Sequence, residues 1–289
     1  MPGTLFVVAT PIGNLEDFTF RAKRTLAEVD LIAAEDTRRT AKLLAHYEIR
    51  KPVVSLREHN EMREAPRLVA RLEAGEDIAL VSDAGTPTVA DPGARLVRAA
   101  REHGIRVIPI PGPSAVAAAF SASGLPGPEF TFVGFPPPKG QARHAWFAGL
   151  AADPRALVLF EAPHRVRRTL SELHSLLAER QIIVFREMSK MNEESGIYPF
   201  NGNSEWPRQI GEFTVAIGPR SAVQRADREN YGLADSYLAL YLLLTSGDPI
   251  PSDLAIELVA LKFQAEPHVV RKAVKKASIL AKQQMSKLP

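Results

Sequence analysis

Two α/β domains around a ligand cleft, followed by a small helical module, are what the sequence predicts, and three observations carry that reading. Short apolar, β-branched runs alternate with amphipathic stretches at the spacing of a mainly parallel sheet covered on both faces. Stiff proline-and-glycine corners follow three of those runs: Thr10-Pro11-Ile12-Gly13-Asn14, the long stretch Val81 to Gly93, and Pro109 to Ala115. Finally, Ser123-Gly124-Leu125-Pro126-Gly127-Pro128 places two glycines and two prolines in six residues, which neither a helix nor a central strand accommodates. The expected domains are therefore 1–122, 123–220 and a helical module over 231–289.

Taken in order, Thr4 to Ala9 reads as a buried strand, Arg21 to Val29 as a helix, and Leu31 to Ala34 as a second strand whose end delivers Glu35, Asp36 and Thr37. Thr37 to Tyr47 carries Leu43, Leu44 and Tyr47 at helical spacing, with Arg38, Arg39 and Lys42 on the remaining surface. Val53 to Leu56 is the third strand and runs into Arg57-Glu58-His59-Asn60-Glu61. Glu61 to Ala74 is a helix stopped by Gly75. Then come the strand Ile78 to Val81, the helix Ala94 to His103 stopped by Gly104, the strand Arg106 to Ile110, and the helix Ala115 to Ala122.

The corners have a physical logic of their own. Gly85 and Gly112 allow close backbone approach or positive φ, while Pro87, Pro92 and Pro113 stiffen the loops. Asp91 followed by Pro92 reads as a helix start with an aspartate cap, and Ser114 reads as the cap of the helix after it. Helix N-termini and strand-end N–H groups gathered at one sheet edge favour a polar or anionic ligand there.

In the second domain Phe130 to Val133, Ala156 to Phe160, Ile182 to Phe185 and Phe213 to Ile217 are strand candidates. Helices are expected at Gln141 to Leu150 and Arg165 to Leu177, and Phe135-Pro136-Pro137-Pro138-Lys139-Gly140 as a stiff exposed loop. Asn192 to Arg208 reads as a polar surface excursion anchored by Tyr198, Phe200 and Trp206. Ser221 to Glu229 suits a linker. Beyond it, helices are expected at Ala234 to Leu244, Asp253 to Phe263, and from Glu266-Pro267 onward. The last two, with a tight connection, resemble a helix-turn-helix; a plain helical cap with a solvated basic face accounts for them equally well.

Composition removes whole classes of function. A chain of 289 residues with 45% hydrophobic content is long enough for two cores. No run of eighteen apolar residues is present, and the N-terminus lacks the pattern of a secretory signal, so a cytoplasmic location without membrane attachment is expected. With no cysteine there is no disulfide, thiolate metal site or cysteine nucleophile. The seven histidines form no pair at metal-ligand spacing, and no metal is expected. Neither a Gly-x-Gly-x-x-Gly after the first strand nor a phosphate-binding Gly-Lys-Ser/Thr occurs. The net charge is +3, but residues 252–289 hold seven basic and three acidic side chains, which leaves −1 for the rest; bulk charge in the main body announces no nucleic acid.

One set of stretches goes further when read together. Leu5 to Leu15, Ala34-Glu35-Asp36-Thr37-Arg38, His59-Asn60-Glu61, the two later corners, Phe160-Glu161-Ala162-Pro163-His164-Arg165 and Arg186-Glu187-Met188-Ser189-Lys190 resemble, in order and spacing across roughly residues 4 to 218, the tetrapyrrole-methylase superfamily. More narrowly, they are similar to its branch that methylates ribose in small-subunit ribosomal RNA. The resemblance implies S-adenosylmethionine held between the two domains. Position by position, Pro11, Ile12 and Gly13 would end the first strand beside it. Asp83, Gly85, Thr86 and Val89 would line the second corner, Ser114 and Ala115 would open the helix after the third, and Phe160, Met188, Ala216 and Ile217 would close over the adenine. The ending Ile217-Gly218-Pro219 departs from the acidic ending expected there.

The acceptor would be a cytidine 2′-hydroxyl of small-subunit rRNA, free or in the 30S subunit, and the enzyme a homodimer. Alignment in such a transfer contributes roughly 7 to 11 kcal/mol. A base adds about 10² to 10⁴-fold, because a ribose hydroxyl is a weak nucleophile. Candidates are Asp36, His59, Glu161 and Glu187, with Lys190 as a polariser; the Lys-Asp-Lys-Glu tetrad of other ribose methyltransferases cannot be picked out. Arg38, Arg39, Arg57, His164 and Arg165 stand near strand ends as candidate RNA contacts. Two rivals stay open: a methylase of tetrapyrrole precursors, and a non-catalytic accessory factor of the ribosome that senses the cofactor.

Overall fold

The computed structural model describes residues 1–177, 179–199, 207–220, 252–263 and 266–275. Its residues Met1–Pro219 form one compact unit built on two sheets, and Arg220–Pro289 form a second unit.

The apolar runs of the first half become five parallel strands, β1 (Thr4–Val8), β2 (Leu31–Ala34), β3 (Val53–Ser55), β4 (Ile78–Val81) and β5 (Arg106–Ile110), in the order β3-β2-β4-β1-β5. Every residue of β2 and β4 is buried, as strands covered on both faces must be. Helices α1 (Phe20–Glu28) and α2 (Thr37–His46) set Ala22, Leu26 and Leu44 against one face. On the other face, α3 (Glu61–Glu73) and α4 (Ala94–Glu102) pack Leu68, Leu72 and Leu96. Each such leucine, taken from water to full burial, contributes about 1.5 to 3 kcal/mol.

The strand order fixes where a ligand can go. From β1 the chain crosses over β4 to reach β2, and from β4 it crosses over β1 to reach β5, with the two crossovers on opposite faces. The loops leaving β1 and β4 therefore diverge and leave a crevice at the carboxyl edge between them, the usual ligand position in open α/β sheets.

Helix α5 (Ala115–Ser123) leaves this lobe and lays Val116 and Ala119 on the second sheet, against Val158, Ile183, Phe185 and Ala216. That sheet is mixed. Strands β6 (Phe130–Phe132) and β7 (Ala156–Glu161) are parallel, while β8 (Ile182–Arg186), β9 (Glu194–Tyr198) and β10 (Phe213–Ile217) pair antiparallel, in the order β6-β7-β10-β8-β9. Helices α6 (Gly140–Ala152) and α7 (Val166–Leu176) cover its far face through Phe147, Leu150, Leu170 and Leu173.

Two sequence expectations are corrected. Asp91 does not cap α4: the cap position is Gly93, at φ 118°, where a Cβ would come within 2.6 Å of Leu80 Cδ2. The buried Glu61, from the start of α3, does the capping instead, accepting from Gly93 N (3.1 Å) and Arg95 N (2.7 Å). The excursion expected from Asn192 begins as the edge strand β9, with alternate residues turned to solvent. Phe200 and Trp206 lie outside the described residues.

In the C-terminal unit, α8 (Ser252–Phe263) buries Ala255, Ile256 and Val259, and a helix over 267–275 buries Val270 and Val274. Arg271 meets Asp253 at 2.9 Å. The expected helix Ala234 to Leu244 and the linker before it lie outside the described residues.

Candidate functional site

Because β4, β1 and β5 are neighbours, their three exit loops meet at one edge. Thr10 and Gly85 exchange backbone hydrogen bonds of 2.9 and 3.0 Å, joining the first corner to the second. Thr86 Oγ1 donates to the Pro113 carbonyl at 3.1 Å, joining the second to the third. Ser114 caps α5 as its sequence position predicts, accepting from Ala117 N at 3.5 Å. Five described non-glycine residues hold positive φ, and four of them, Thr88, Ala90, Glu187 and Ser189, lie in loops at the lobe junction. Such conformations cost about 1 to 3 kcal/mol each, and persist where surrounding structure enforces them.

Over these loops the second lobe closes a cavity of about 310 Å³, within the range of small-ligand sites. Ile12, Val89, Phe135 and Phe160 supply apolar wall, and the two phenylalanine rings lie 5.5 Å apart. Phe135 is held in place by its loop, which is clamped from beneath rather than free. Arg165 donates to the Pro136 carbonyl at 3.2 Å and Arg143 to that of Pro137 at 2.9 Å.

The polar side of the cavity is a cluster of three carboxylates, Glu35, Asp83 and Asp91, with Arg39 beside them. Asp83 N–H donates to Glu35 at 3.2 Å and Asp36 N–H donates to Asp83 at 2.9 Å, which knits the ends of β2 and β4 together. Arg39 reaches Asp83 at 3.4 Å. Burial pushes Asp91 up to about 6, the charge of Glu35 adds to the rise, and a hydrogen bond from Ser82 opposes it. Glu35 is also raised, by burial first, with the Asp83 N–H pulling the other way and the Asp83 charge adding to the rise. The three carboxylates outnumber the two arginines, Arg39 and Arg57, whose charges reach Glu35, so the cluster favours a cation.

Opposite, the β1 loop abuts the loop after β8. A Cβ on Gly13 would lie 2.4 Å from Lys190 Cγ and 3.0 Å from the Met188 carbonyl, so only glycine permits this approach. Asn14 N–H donates to Ser189 Oγ at 3.2 Å, and that hydroxyl donates to Asp17. Lys190 pairs with Glu187 (2.8 Å) and Glu212 (3.0 Å). Although burial opposes it, those hydrogen bonds raise the Lys190 pKa, and the Glu187 pKa is lowered in the same way.

The residues expected from sequence divide accordingly. Ile12, Asp83, Gly85, Thr86, Val89, Ser114, Ala115 and Phe160 line the cavity. Pro11, Gly13 and Lys190 line a second chamber beside it, and Met188 packs against the core at the junction. Ala216 and Ile217 are fully buried and line neither space: Ala216 faces α5, and Ile217 sits in the core on the other face of its sheet.

Among the base candidates, Glu161 lines the cavity, but its carboxylate is fully buried and committed to Arg165 (2.7 Å), Ala162 N–H (2.7 Å) and Thr169. Asp36, His59 and Glu187 line neither space. Asp36 caps α2 and is held down at about 2 by the hydrogen bond from the Arg38 side chain, then by the Arg38 N–H. His59 is exposed. Of the arginines, Arg39 lines both spaces, Arg38 and Arg57 pair with Asp36, and Arg165 is turned inward onto Glu161 and the Pro136 carbonyl, which corrects its reading as an RNA contact; His164 is exposed and lines neither space. Glu35 and Asp91 were missed as site residues. Glu35 was visible as a strand-end acid, and Asp91 was hidden by its resemblance to a helix cap.

A parallel sheet whose carboxyl-edge loops are roofed by a second α/β lobe over an aromatic-walled, carboxylate-lined cavity defines an enzyme frame for a nucleoside-sized cationic ligand. Residues 4–199 match the model of the tetrapyrrole (corrin/porphyrin) methylases, and the chain belongs to that family, whose methyltransferases use S-adenosylmethionine. It is 44% identical over 248 residues to the ribosomal RNA small subunit methyltransferase I of Pseudomonas aeruginosa, covering 84% of this chain and 87% of that one. It is 52% identical over 193 residues to the protein of the same name from Xylella fastidiosa, covering 66% and 71%. A crystal structure of diphthine synthase, 16% identical, superposes with a TM-score of 0.57 over 75% of this chain and 90% of that one, which speaks to the fold alone.

The residues present fit the cofactor. S-adenosylmethionine carries a sulfonium and an ammonium against one carboxylate, and an adenine that prefers apolar walls. The cavity offers Phe135, Phe160 and Val89 for the adenine, and Glu35, Asp83 and Asp91 for the net positive charge.

Proposed function

We propose that the chain methylates a ribose 2′-hydroxyl of a cytidine in small-subunit (16S) ribosomal RNA, using S-adenosylmethionine. The observation that carries this reading is the junction at Asp83, where the aromatic-walled, carboxylate-lined cavity opens beside a chamber lined by Arg39, Lys42 and Lys190. The acceptor itself comes from the names of the relatives. Phe135, Phe160 and Val89 hold the adenosine, while Ile12, Gly85, Thr86, Ser114 and Ala115 form the floor from loops that are mutually bonded. Bound there, the cofactor supplies a methyl group already activated on sulfur, so transfer to oxygen is an in-line displacement.

What the chain adds is alignment and an outlet for a proton. The stiff corners fix the floor, and Phe160 with the half-exposed Phe135 holds the adenosine against it, the kind of orientation worth roughly 7 to 11 kcal/mol. The hydroxyl proton passes to the carboxylate cluster, with Asp83 at the junction and Asp91 beside Glu35, its proton affinity raised by burial to about 6. Lys190, fixed by Glu187 and Glu212, polarises the acceptor side.

Within this reading the enzyme works in the cytoplasm as a homodimer, which analytical ultracentrifugation checks. Among the described residues no helix is long and apolar enough to cross a membrane. The function itself is tested with methyl-labelled cofactor offered 30S subunits, naked 16S rRNA and a tetrapyrrole precursor. Label at a cytidine 2′-oxygen is expected. Label only on the tetrapyrrole would establish the first rival, and cofactor binding with no transfer to any acceptor the second.

A further inference from the structure

Beside the cofactor cavity lies the second chamber, about 390 Å³, between the β1 loop, α2 and the loop after β8. The two spaces share Ile12, Arg39, Asp83, Ala84 and Glu212 as a common wall. They differ in what else they present: the first has the phenylalanines, the second Lys42, Lys190 and Thr40.

The cations here are not equivalent. Arg39 is drawn to Asp83, and Lys190 is bound by two glutamates. Lys42 is exposed and forms no ion pair with any carboxylate among the described residues. It lies one helical turn beyond Arg38, whose side chain is 84% exposed, so Arg38, Arg39 and Lys42 make a basic row along α2 that enters the chamber at one end and continues outside it at the other. A discrete polyanion would call for cations ringing the chamber. A row leading out of it matches a strand of phosphodiesters passing the mouth.

Resting on the methyltransferase reading above, we propose that this chamber is the acceptor subsite: it seats a single-stranded RNA nucleotide, Lys42 and Arg39 contact the phosphodiesters on either side, and the ribose hydroxyl faces the opening at Asp83. Lys42 is thereby a determinant of RNA affinity and has no part in cofactor binding. Being on an exposed helix surface, it can be replaced without disturbing the core.

The test uses the full-length protein and its Lys42→Ala, Lys42→Glu and Lys42→Arg variants. Cofactor affinity is read by calorimetry, and KM and kcat by methyl transfer to 30S subunits at several salt concentrations. The expected result is unchanged cofactor affinity in all variants, and a KM raised several-fold by Lys42→Ala, further by Lys42→Glu, and restored by Lys42→Arg. The slope of log affinity against log salt should fall by about 0.7 for the alanine variant, the value for one single-strand phosphate contact. Unchanged KM and salt slope in both Lys42→Ala and Lys42→Glu, with the wild type active on rRNA, would overturn the subsite and leave the methyltransferase reading intact. A loss of cofactor affinity in Lys42→Ala would reassign the chamber to the cofactor. Transfer by the wild type to a tetrapyrrole and to no RNA would sink the underlying reading and this inference together.

Discussion

Replacing Asp91 by asparagine should make the ligand-free protein more stable and its cofactor affinity weaker. The reasoning starts from the position of Asp91, half-buried in the cavity beside Glu35 and close to Asp83, with its carboxyl raised from 3.8 to about 6. A group whose folded pKa exceeds its unfolded value contributes stability that is full below the unfolded pKa and is lost as pH rises through the folded one. For Asp91 the loss therefore runs from about pH 4 to pH 6 and is complete at neutral pH. At about 1.4 kcal/mol for each tenfold change in proton affinity, that rise sets an upper bound of about 3 kcal/mol. Because the carboxyl keeps contact with solvent, screening reduces this to about 1 to 1.5 kcal/mol. For a protein of this size that is a rise in Tm of roughly 2 to 6 °C. Melting curves of both proteins at pH 4 and pH 7.5 are the assay: the variant should lead at pH 7.5 and lose most of its lead at pH 4. Calorimetry with the cofactor should show binding weakened up to about tenfold, the loss of one favourable charge interaction. A variant no more stable than wild type at pH 7.5, or one whose lead is the same at both pH values, would refute the electrostatic reading of the cluster.

Other substitutions probe the parts separately. Glu161→Ala strands the inward-facing Arg165 and should cost about 3 to 5 kcal/mol in denaturant unfolding and weaken cofactor binding through the Phe135 loop, while kcat at saturating cofactor falls by less than about tenfold per folded molecule; a stable variant with kcat down a hundredfold would restore Glu161 as a base. Gly13→Ala forces the β1 loop off Lys190 and the Met188 carbonyl, so about 1 to 3 kcal/mol of stability should be lost in thermal melts together with cofactor affinity. Phe160→Ala removes one aromatic wall and should weaken cofactor binding by about tenfold in calorimetry, with little change in KM for the subunit.

How much could be read in advance followed from how local each cause is. Strands β1, β2, β4 and β5 are legible as short apolar runs, and the exit loops of β1, β4 and β5 are legible as a cleft because proline and glycine stiffen them. Asp91 was misread because the carboxylate that caps α4 belongs to Glu61, 32 residues before Gly93. Nothing local distinguishes an aspartate that caps from one that turns into a cavity. Arg165 reads as an RNA contact because its partner, Glu161, lies across a strand-to-helix corner whose geometry the sequence does not display. Strand β9 escaped notice since an edge strand with one face in water carries polar residues and tolerates Gly196. Lys42 was visible only as one more helix-surface cation until the β1 loop closed a chamber over it.

Pro136, Pro137 and Pro138 have no N–H to give, so the triproline segment can be fastened only through its carbonyls, by donors that reach in from elsewhere. Those donors are guanidiniums anchored in turn: Arg165 by Glu161, and Arg143 by Thr169 and Glu172, the latter also gripping Arg168 on the outer side of α7. The placement of the Phe135 loop is thus set from α7, none of whose residues lines the cavity. Under the proposed function, substitution at position 172 is a change outside the cavity lining that reaches the Phe135 loop through Arg143 alone.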